Sequence, residues 1–349
     1  MKMDSKPFGK LPTGETARLY TLENDNGMSV TISDFGGIIT NVLVPDRDGN
    51  FADVALAHDE FESYLQNPGS FGALIGRNAN RIKDALLVID DKTFKLPDTG
   101  GGLNAHGGPK GLSRRLFNAE LRSIEGLPAL MLSITVPDMD DGFPGKLTVT
   151  TAYTLTNDNT LVLDYHATTD ADTIINLTNH SYFNLAGHDS GHTRDQILWI
   201  DSDFYAPRVE SGLVSGEIYS VEGTSLDFRK AKPVGQDISD ECHGKTADGY
   251  DHNYFLNGSG YRHVSTLKDP ASGRVMETYT DLSCIQLYTA NALPTPCREK
   301  SGAEYAPHQG IALETQFCPN AVYQPWLKSP IFRAGETFRS TTAYQFKVD

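Results

Sequence analysis

Two histidines and one glutamate carry the chemistry that this sequence could support. His106 lies in the run Asn-Ala-His-Gly-Gly, His180 in Asn-His-Ser-Tyr-Phe-Asn, and Glu314 in Ala-Leu-Glu-Thr-Gln. An imidazole that faces a carboxylate can move protons on an uncharged substrate near neutral pH. The three residues are far apart in the sequence, so only a fold could bring them together. We therefore interpret the chain as a candidate acid–base enzyme.

The surroundings of each residue predict how it is held. Glycines on both sides of His106 indicate a loop that approaches a ligand closely. Polar neighbours of His180 could keep its pKa near neutrality, and a nearby carboxylate is expected to raise that pKa. Glu314 interrupts an apolar run, so burial should raise its pKa and make it a better base. The ordinary alternatives are an incidental loop histidine, a buried histidine bonded to Asn179 or Ser181, and a glutamate that faces solvent.

Two further segments offer polar groups to a ligand. The run 72–82 is rich in glycine and contains the possible donors Arg77, Asn80 and Arg81, although a surface turn with a structural salt bridge explains it equally well. Asp251 lies between aromatic residues in the run 249–254. Aromatic faces pack against the C–H faces of sugars, whereas a turn at the start of a strand is the alternative interpretation.

Composition narrows the class of ligand. The formal net charge is −15, from 30 basic and 45 acidic side chains, and no basic run is present. Such a chain repels phosphate backbones, so we expect no nucleic-acid partner. A phosphorylated substrate is disfavoured unless a local basic pocket holds it. Neutral small molecules fit best.

Location is predicted from targeting signals and cysteines. The first seven residues lack the apolar core of a secretory signal, and no apolar run approaches the ~20 residues that span a bilayer. We therefore expect no membrane partner. The cysteines lack CxxC spacing and are too few for a disulfide framework, which predicts reduced thiols in a cytoplasmic protein. They are Cys242, Cys284, Cys297 and Cys318.

Short β-prone runs separated by turn residues dominate the chain. Residues 147–155 and 161–167 alternate apolar and polar positions around an Asn-Asp-Asn turn, which predicts an antiparallel hairpin. Only 59–65 could form a helical turn or two. The pattern predicts an all-β protein, a large antiparallel sandwich formed by one domain over 1–349. Further strands are predicted at 28–32, 38–44, 86–89, 130–136, 196–200 and 284–289.

Taken together, the motifs resemble those of one family, the galactose mutarotases or aldose 1-epimerases. The matches follow the family's order from about residue 36 to the C-terminus. They differ from the family pattern at Asn78 and over 291–305. The matching segments are 76–82, 104–108, 176–185, 223–230, 250–253, 286–288 and 313–316.

The resemblance implies a β-supersandwich with an open sugar-binding cleft and an enzyme that interconverts sugar anomers without a cofactor or metal. By the same resemblance, Glu314 is the general base and His180 the general acid. The implied substrate is a free aldose such as galactose or glucose, and the protein is expected to be a monomer or homodimer. The implied substrate-binding residues are His106, Arg81, Asn80, Asp251 and Gln286.

Three other functions remain open from the residues alone. Two histidines and a glutamate could bind a metal on a β-sandwich, although no compact ligand pair such as His-x-x-x-His is present. A carbohydrate-binding module without catalytic activity could share the same fold. Glycoside hydrolysis would need a pair of catalytic carboxylates, and no convincing pair is found.

Overall fold

The computed structural model describes residues 1–209, 212–240, 249–293 and 300–349, and only the backbone of 297–298. The regular structure of this part of the chain is almost entirely β-strand, as predicted. The strands, in chain order, are β1 (Lys2–Lys10), β2 (Thr16–Glu23), β3 (Ser29–Ser33), β4 (Ile39–Pro45), β5 (Phe51–Asp53), β6 (Ala73–Ile75), β7 (Arg81–Ile82), β8 (Leu86–Ile89), β9 (Lys92–Lys95), β10 (Asn104–Ala105), β11 (Asn118–Ile124), β12 (Leu127–Val136), β13 (Leu147–Leu155), β14 (Thr160–Thr169), β15 (Thr173–Ile174), β16 (Thr178–His180), β17 (Ile197–Ile200), β18 (Phe204–Ala206), β19 (Tyr219–Ser220), β20 (Lys232–Pro233), β21 (Asp251–Phe255), β22 (Arg262–Lys268), β23 (Arg274–Thr280), β24 (Cys284–Tyr288), β25 (Cys297–Arg298), β26 (Glu304–Tyr305), β27 (Ala312–Gln316), β28 (Ile331–Phe332) and β29 (Thr337–Val348).

Helical structure is short, as expected. Within the described residues the one α-helix is α1 (Phe61–Gln66), which ends where Asn67 adopts a left-handed conformation with φ 33° and its N–H donates to Ser63 O. This helix overlaps the turn predicted over 59–65. The 3₁₀ helices are Lys83–Ala85, Leu112–Arg114, Asp140–Gly142, Lys300–Gly302 and Ala321–Tyr323.

The largest sheet has nine strands in the order β11-β12-β13-β14-β29-β23-β22-β17-β20. The predicted hairpin forms its centre, with β13 and β14 antiparallel and Leu155 opposite Leu161. Leu147 and Val149 are fully buried on the inner face, whereas Thr148 and Thr150 lie half-buried on the outer face. One face of this sheet therefore builds the core while the other meets solvent.

Two five-stranded sheets form the opposite layer. One has the order β1-β2-β3-β4-β5 and the other the order β19-β18-β21-β24-β27. Buried side chains from all three sheets belong to a single hydrophobic cluster, so the layers enclose one shared core. The predicted antiparallel β-sandwich is confirmed. Residues that represent the three sheets in this cluster are Val30, Val42, Leu132, Leu163, Leu287 and Leu313.

The six other strands predicted from alternation all overlap observed strands, and their ends differ by at most three residues. No helix in the described part of the chain is long and apolar enough to cross a membrane. Cys284 and Cys318 are buried free thiols, as predicted. Cys242, the Cys297 side chain and part of the segment 291–305 lie outside the described residues.

Candidate active site

The floor of the site is the five-stranded sheet that contains β27. Its antiparallel register places Asn253 opposite Gln286 and Gln286 opposite Glu314. Asp251 lies opposite Tyr288, two positions further along β21 and β24. Because side chains alternate along a strand, these residues share one face, and the core residues between them point to the other. A row of polar groups therefore covers the face of the sheet that is turned away from the core.

His180 reaches this face from β16, which pairs with β6 through His180 and Ala73. Its Nε2 atom lies 3.5 Å from Oε1 of Glu314, and the two side chains are 7% and 3% exposed. The structure thus brings together two groups that are 134 positions apart in sequence. A glutamate directed into bulk solvent, the ordinary alternative for this strand, is excluded because Glu314 is buried.

The glycine-rich loop places His106 beside His180. His106 has a φ of 52°, and its N–H donates to Asn80 O at 3.0 Å. At Gly107, with a φ of 83°, an added Cβ would lie 2.1 Å from Gly76 O, so only glycine allows the loop to pack this closely. The two imidazole centroids are 5.5 Å apart with planes at 79°. His106 is therefore held next to the Glu314–His180 pair.

A cavity of about 360 Å³ opens above the pair. It is large enough for one small polar ligand. Of the predicted site residues, Glu314, His180, His106, Asn80, Arg81 and Asp251 line it.

Gln286, the remaining predicted residue, is not among the described residues that line the cavity. It is buried, and its Nε2 donates to Oδ1 of Asp251 at 2.6 Å. Gln286 therefore contacts Asp251 directly on the same face of the sheet. A direct contact between Gln286 and a ligand stays a prediction.

Two expectations about the neighbouring residues are wrong. Tyr250 and Tyr254 belong to the core, at 0% and 1% exposure, so they do not flank a ligand beside Asp251. Arg77 is also buried, and its Nη1 donates to the backbone carbonyls of Pro144 and Gly145. The two tyrosines pack against apolar core residues, and Arg77 is held by backbone carbonyls. The sequence alone could have placed all three side chains in the site.

The residues that sequence reasoning missed are Tyr182, Tyr288 and Arg208, which all line the cavity. Tyr182 and Tyr288 supply the aromatic wall, with ring centroids 6.0 Å apart. Arg208 pairs with Asp251 through Nη2 and Oδ2 at 3.0 Å. No motif marks Arg208, and its contact with Asp251 becomes evident only in the folded chain.

Comparisons with known proteins match nearly the whole chain. The family model described as aldose 1-epimerase covers residues 18–345. A galactose mutarotase from Bos taurus is 40% identical over 343 residues, which span 98% of this chain and 97% of that protein. The chain belongs to the aldose 1-epimerase family.

Further relatives agree with this assignment. An aldose 1-epimerase of Escherichia coli strain K12 is 36% identical over 344 residues, which span 96% of each chain. The crystal structure of a galactose 1-epimerase from Lactobacillus acidophilus NCFM aligns with a TM-score of 0.87 at 27% identity, over 99% of both chains. This epimerase is thus an enzyme, an isomerase that acts on carbohydrates, as the motifs indicated.

Burial sets the protonation state of the Glu314–His180 pair. It raises the pKa of Glu314 to about 8, and the charge of Asp251 adds to the shift. Burial also lowers the pKa of His180 to about 4. The expectation that a nearby carboxylate would raise the histidine pKa is wrong, because desolvation of the imidazolium outweighs that attraction. At neutral pH the empty site of the epimerase therefore holds one proton on Glu314 and a neutral His180.

The second histidine is neutral as well. Burial and the positive charge of Arg81 keep the pKa of His106 well below its usual value. Nδ1 of His106, Nδ1 of His180 and Oε2 of Glu314 are buried and have no hydrogen-bond partner in the described part of the chain. Buried polar atoms are normally paired, so these three unpaired atoms are unusual for a protein interior.

Among the residues that the structure describes, no three His, Cys, Asp or Glu side chains are grouped so that they could hold a metal ion.

Proposed function

We propose that this epimerase interconverts the α and β anomers of a free hexose such as galactose or glucose by general acid–base catalysis. The observation that carries the proposal is the Glu314–His180 contact of 3.5 Å on the wall of a 360 Å³ cavity. A donor and an acceptor at that spacing can reach two neighbouring oxygens of one small ligand.

In the proposed reaction Glu314 removes the proton of the C1 hydroxyl while His180 protonates the ring oxygen. The C1–ring oxygen bond breaks and leaves the free aldehyde. Rotation about C1–C2 presents the other face of the carbonyl, and ring closure returns both protons. The sugar undergoes no redox change and no group transfer, so this chemistry requires no organic cofactor.

The protonation state fits a two-way shuttle. The pair contains one proton between pH values of about 4 and about 8, which the pKa shifts of His180 and Glu314 define. Opening and closing are the reverse of each other, so each group acts once as an acid and once as a base. Ring opening as described uses the form with the proton on His180 and leaves the form with the proton on Glu314, which ring closure then uses. Because the empty site holds the proton on Glu314, transfer of that proton to His180 precedes ring opening.

Recognition should concentrate on the end of the sugar away from C1, because C1 must rotate during the reaction. Arg81 and Asp251 provide a donor and an acceptor for neighbouring hydroxyls. The side-chain oxygen of Asn80 accepts from the N–H of Arg81 at 2.9 Å and from its Nη1 at 3.4 Å, which orients the guanidinium. We propose His106 as a further contact to a sugar hydroxyl, through its unpaired Nδ1.

We extend the proposal to the setting of the reaction: a single domain over 1–349 that works in the cytoplasm as a monomer or homodimer. The family match over 18–345 supports the single domain, and the free thiols Cys284 and Cys318 are consistent with a reducing compartment.

The test is polarimetry of freshly dissolved α-D-galactose and α-D-glucose with and without the protein. The proposal predicts that the protein accelerates the approach to equilibrium for at least one sugar, and that activity persists after treatment with a chelator. A spontaneous rate that the protein leaves unchanged would favour a binding module. Loss of activity on chelation would favour a metal enzyme.

A further inference from the structure

The Glu314–His180 pair spans a gap between two strands that do not pair with each other. In the described part of the chain β27 is the edge strand of its sheet, and β16 pairs with β6 instead. The 3.5 Å between the two side chains therefore depends on the contacts that hold these strands side by side. An edge strand has a row of backbone groups that no neighbouring strand satisfies, so links across this gap need other partners.

A hydrogen-bonded link closes the gap at each end. On one side, Phe183 and Ile311 exchange two backbone hydrogen bonds of 2.9 Å, which form an isolated antiparallel bridge. On the other side, the N–H of Phe317 donates to Oδ1 of Asn176 at 3.0 Å. Both members of the proton-transfer pair lie between these two links along the chain. The two links therefore frame the pair.

The two links differ in the groups that form them. The bridge between Phe183 and Ile311 uses only backbone groups, so it does not depend on side-chain identity. The second link depends on the side chain of Asn176, and the acceptor must be the amide oxygen because the amide nitrogen can only donate. Asn176 is 1% exposed, so bulk water cannot readily replace this acceptor. The spacing at this end of the pair thus depends on one amide group.

The backbone of Asn176 joins a third segment to the same point. Its N–H donates to Arg77 O at 2.9 Å, and its carbonyl oxygen accepts from Ala79 N at 2.8 Å. The segment held in this way continues into two residues of the cavity lining, Asn80 and Arg81. Asn176 therefore lies where three segments of the site meet. Of these bonds, the side chain makes the one to the segment that contains β27.

We propose that Asn176 is a positioning residue of this epimerase, whose side-chain oxygen holds the end of β27 beside the segment before β16 and so fixes the distance between Glu314 and His180. This inference rests on the proposed function, in which that distance governs proton transfer. A misplacement of about 1 Å in a reacting group can cost roughly 10²-fold in rate. Asn176 is not among the described residues that line the cavity, so it acts through the pair and not on the substrate.

The test compares Asn176→Leu, Asn176→Ala and Asn176→Asp with the wild-type protein. Leucine and alanine both remove the acceptor, so either variant that folds decides the test, whereas aspartate keeps an acceptor oxygen of the same reach. The matched control is Asn24→Leu, at a buried asparagine that accepts from the N–H groups of Asn26 and Met28 in the turn between β2 and β3. Circular dichroism and urea unfolding establish the fold and the stability of each variant.

Polarimetry on galactose and glucose gives kcat and KM, and crystal structures give the distance between Nε2 of His180 and Oε1 of Glu314. In Asn176→Leu and Asn176→Ala, kcat should fall roughly 10- to 100-fold and the distance should exceed the wild-type value. KM should change little, because the residues proposed to bind the distal hydroxyls are untouched. Asn176→Asp should keep the distance and recover most of kcat, and Asn24→Leu should lose stability but keep kcat.

Two results would overturn the role of Asn176. One is an unchanged kcat, or an unchanged distance between Glu314 and His180, in a folded Asn176→Leu or Asn176→Ala variant. The other is a distance that widens as much in Asn176→Asp as in Asn176→Leu, because the acceptor would then not be the cause. A wild-type protein that does not accelerate anomerisation overturns the proposed function instead, and the distances still decide whether Asn176 positions the pair.

Discussion

Side chains alternate along the strands both on the outer face of the nine-stranded sheet and on the cavity-lining face of the sheet that contains β27. The polar side chains of the two faces nevertheless lie in opposite environments. Both sheets turn apolar residues towards one core. On the first, the polar face with Thr148 and Thr150 meets water. On the second, the polar face with Glu314 and Gln286 is buried beneath other segments of the chain. The candidate site of this molecule lies where a polar sheet face is covered.

Covering a polar face has an energetic consequence. Solvated polar groups keep their usual properties, whereas buried ones lose hydration that the protein does not fully replace. The raised pKa of Glu314 and the lowered pKa of His180 both follow from this loss. Burial of these polar groups therefore costs stability, whereas polar groups on the outer face of the large sheet keep contact with solvent.

The largest expected difference between the two faces is in catalysis. Glu314→Gln removes the proposed base, so kcat should fall about 10²- to 10⁴-fold with the fold intact. The matched control is Glu277→Gln on the nine-stranded sheet, where the carboxylate accepts from Tyr279 and Lys347 at the surface. Polarimetry should find the control within about twofold of the wild-type rate. Similar anomerisation rates for Glu314→Gln and Glu277→Gln would show that the two sheet faces do not differ in catalysis.

The next effect is on stability and its pH dependence. The folded pKa of Glu314, about 8, is above its unfolded value of 4.5, so its favourable contribution is present below pH 4.5 and is lost as pH rises to about 8. Glu314→Gln should therefore gain stability relative to the wild-type protein, on the order of a few kcal/mol, between pH 5 and pH 8. Urea unfolding at the two pH values measures this change, and a difference that does not depend on pH would show that Glu314 titrates normally.

For His180 stability is lost in the opposite direction of pH. Its folded pKa of about 4 lies below the unfolded value of 6.5, so stability is full above pH 6.5 and is lost as pH falls towards 4. The same urea experiment on His180→Asn should show a relative gain that grows between pH 6.5 and pH 4. A gain that grows towards alkaline pH would contradict the burial of a neutral imidazole.

A smaller effect is expected at the Asp251 end of the cavity. Asp251→Asn keeps the shape of the side chain but removes the charge, so KM should rise by roughly tenfold while kcat changes little. Asp164→Asn, on the outer face of the large sheet, where Asp164 accepts from Thr341, is the control and should leave KM unchanged. An unchanged KM in Asp251→Asn would exclude the proposed role in binding.

The strand positions could be predicted from the sequence because turn residues and the alternation of apolar and polar residues are local signals. The candidate residues could be predicted because they lie in short local motifs. The hairpin at 147–155 and 161–167 is the clearest case, since its apolar positions face the core as predicted. The family motifs likewise predicted six residues that line the cavity. Local patterns and motifs therefore identified strands of both layers of the sandwich and six residues of the cavity lining.

What the sequence could not determine depends on contacts between distant segments. Alternation around Glu314 is the same whether its face is solvated or covered, so only the fold decides between an ordinary and a raised pKa. The predicted direction of the His180 pKa shift was wrong for the same reason, because the sequence does not reveal how deeply His180 is buried. Arg208 was missed because its ion pair with Asp251 joins residues 43 positions apart, which no local motif encodes.

The pH dependence of kcat/KM for anomerisation tests the central claim most directly, that a buried carboxyl and a neutral imidazole share one proton. The pair keeps that proton between about pH 4 and about pH 8, so activity should form a broad plateau that includes pH 7 and falls on either side. Groups with ordinary pKa values would share one proton only between about 4.3 and about 6.5. A profile that already falls as pH rises through 6.5 would contradict the account.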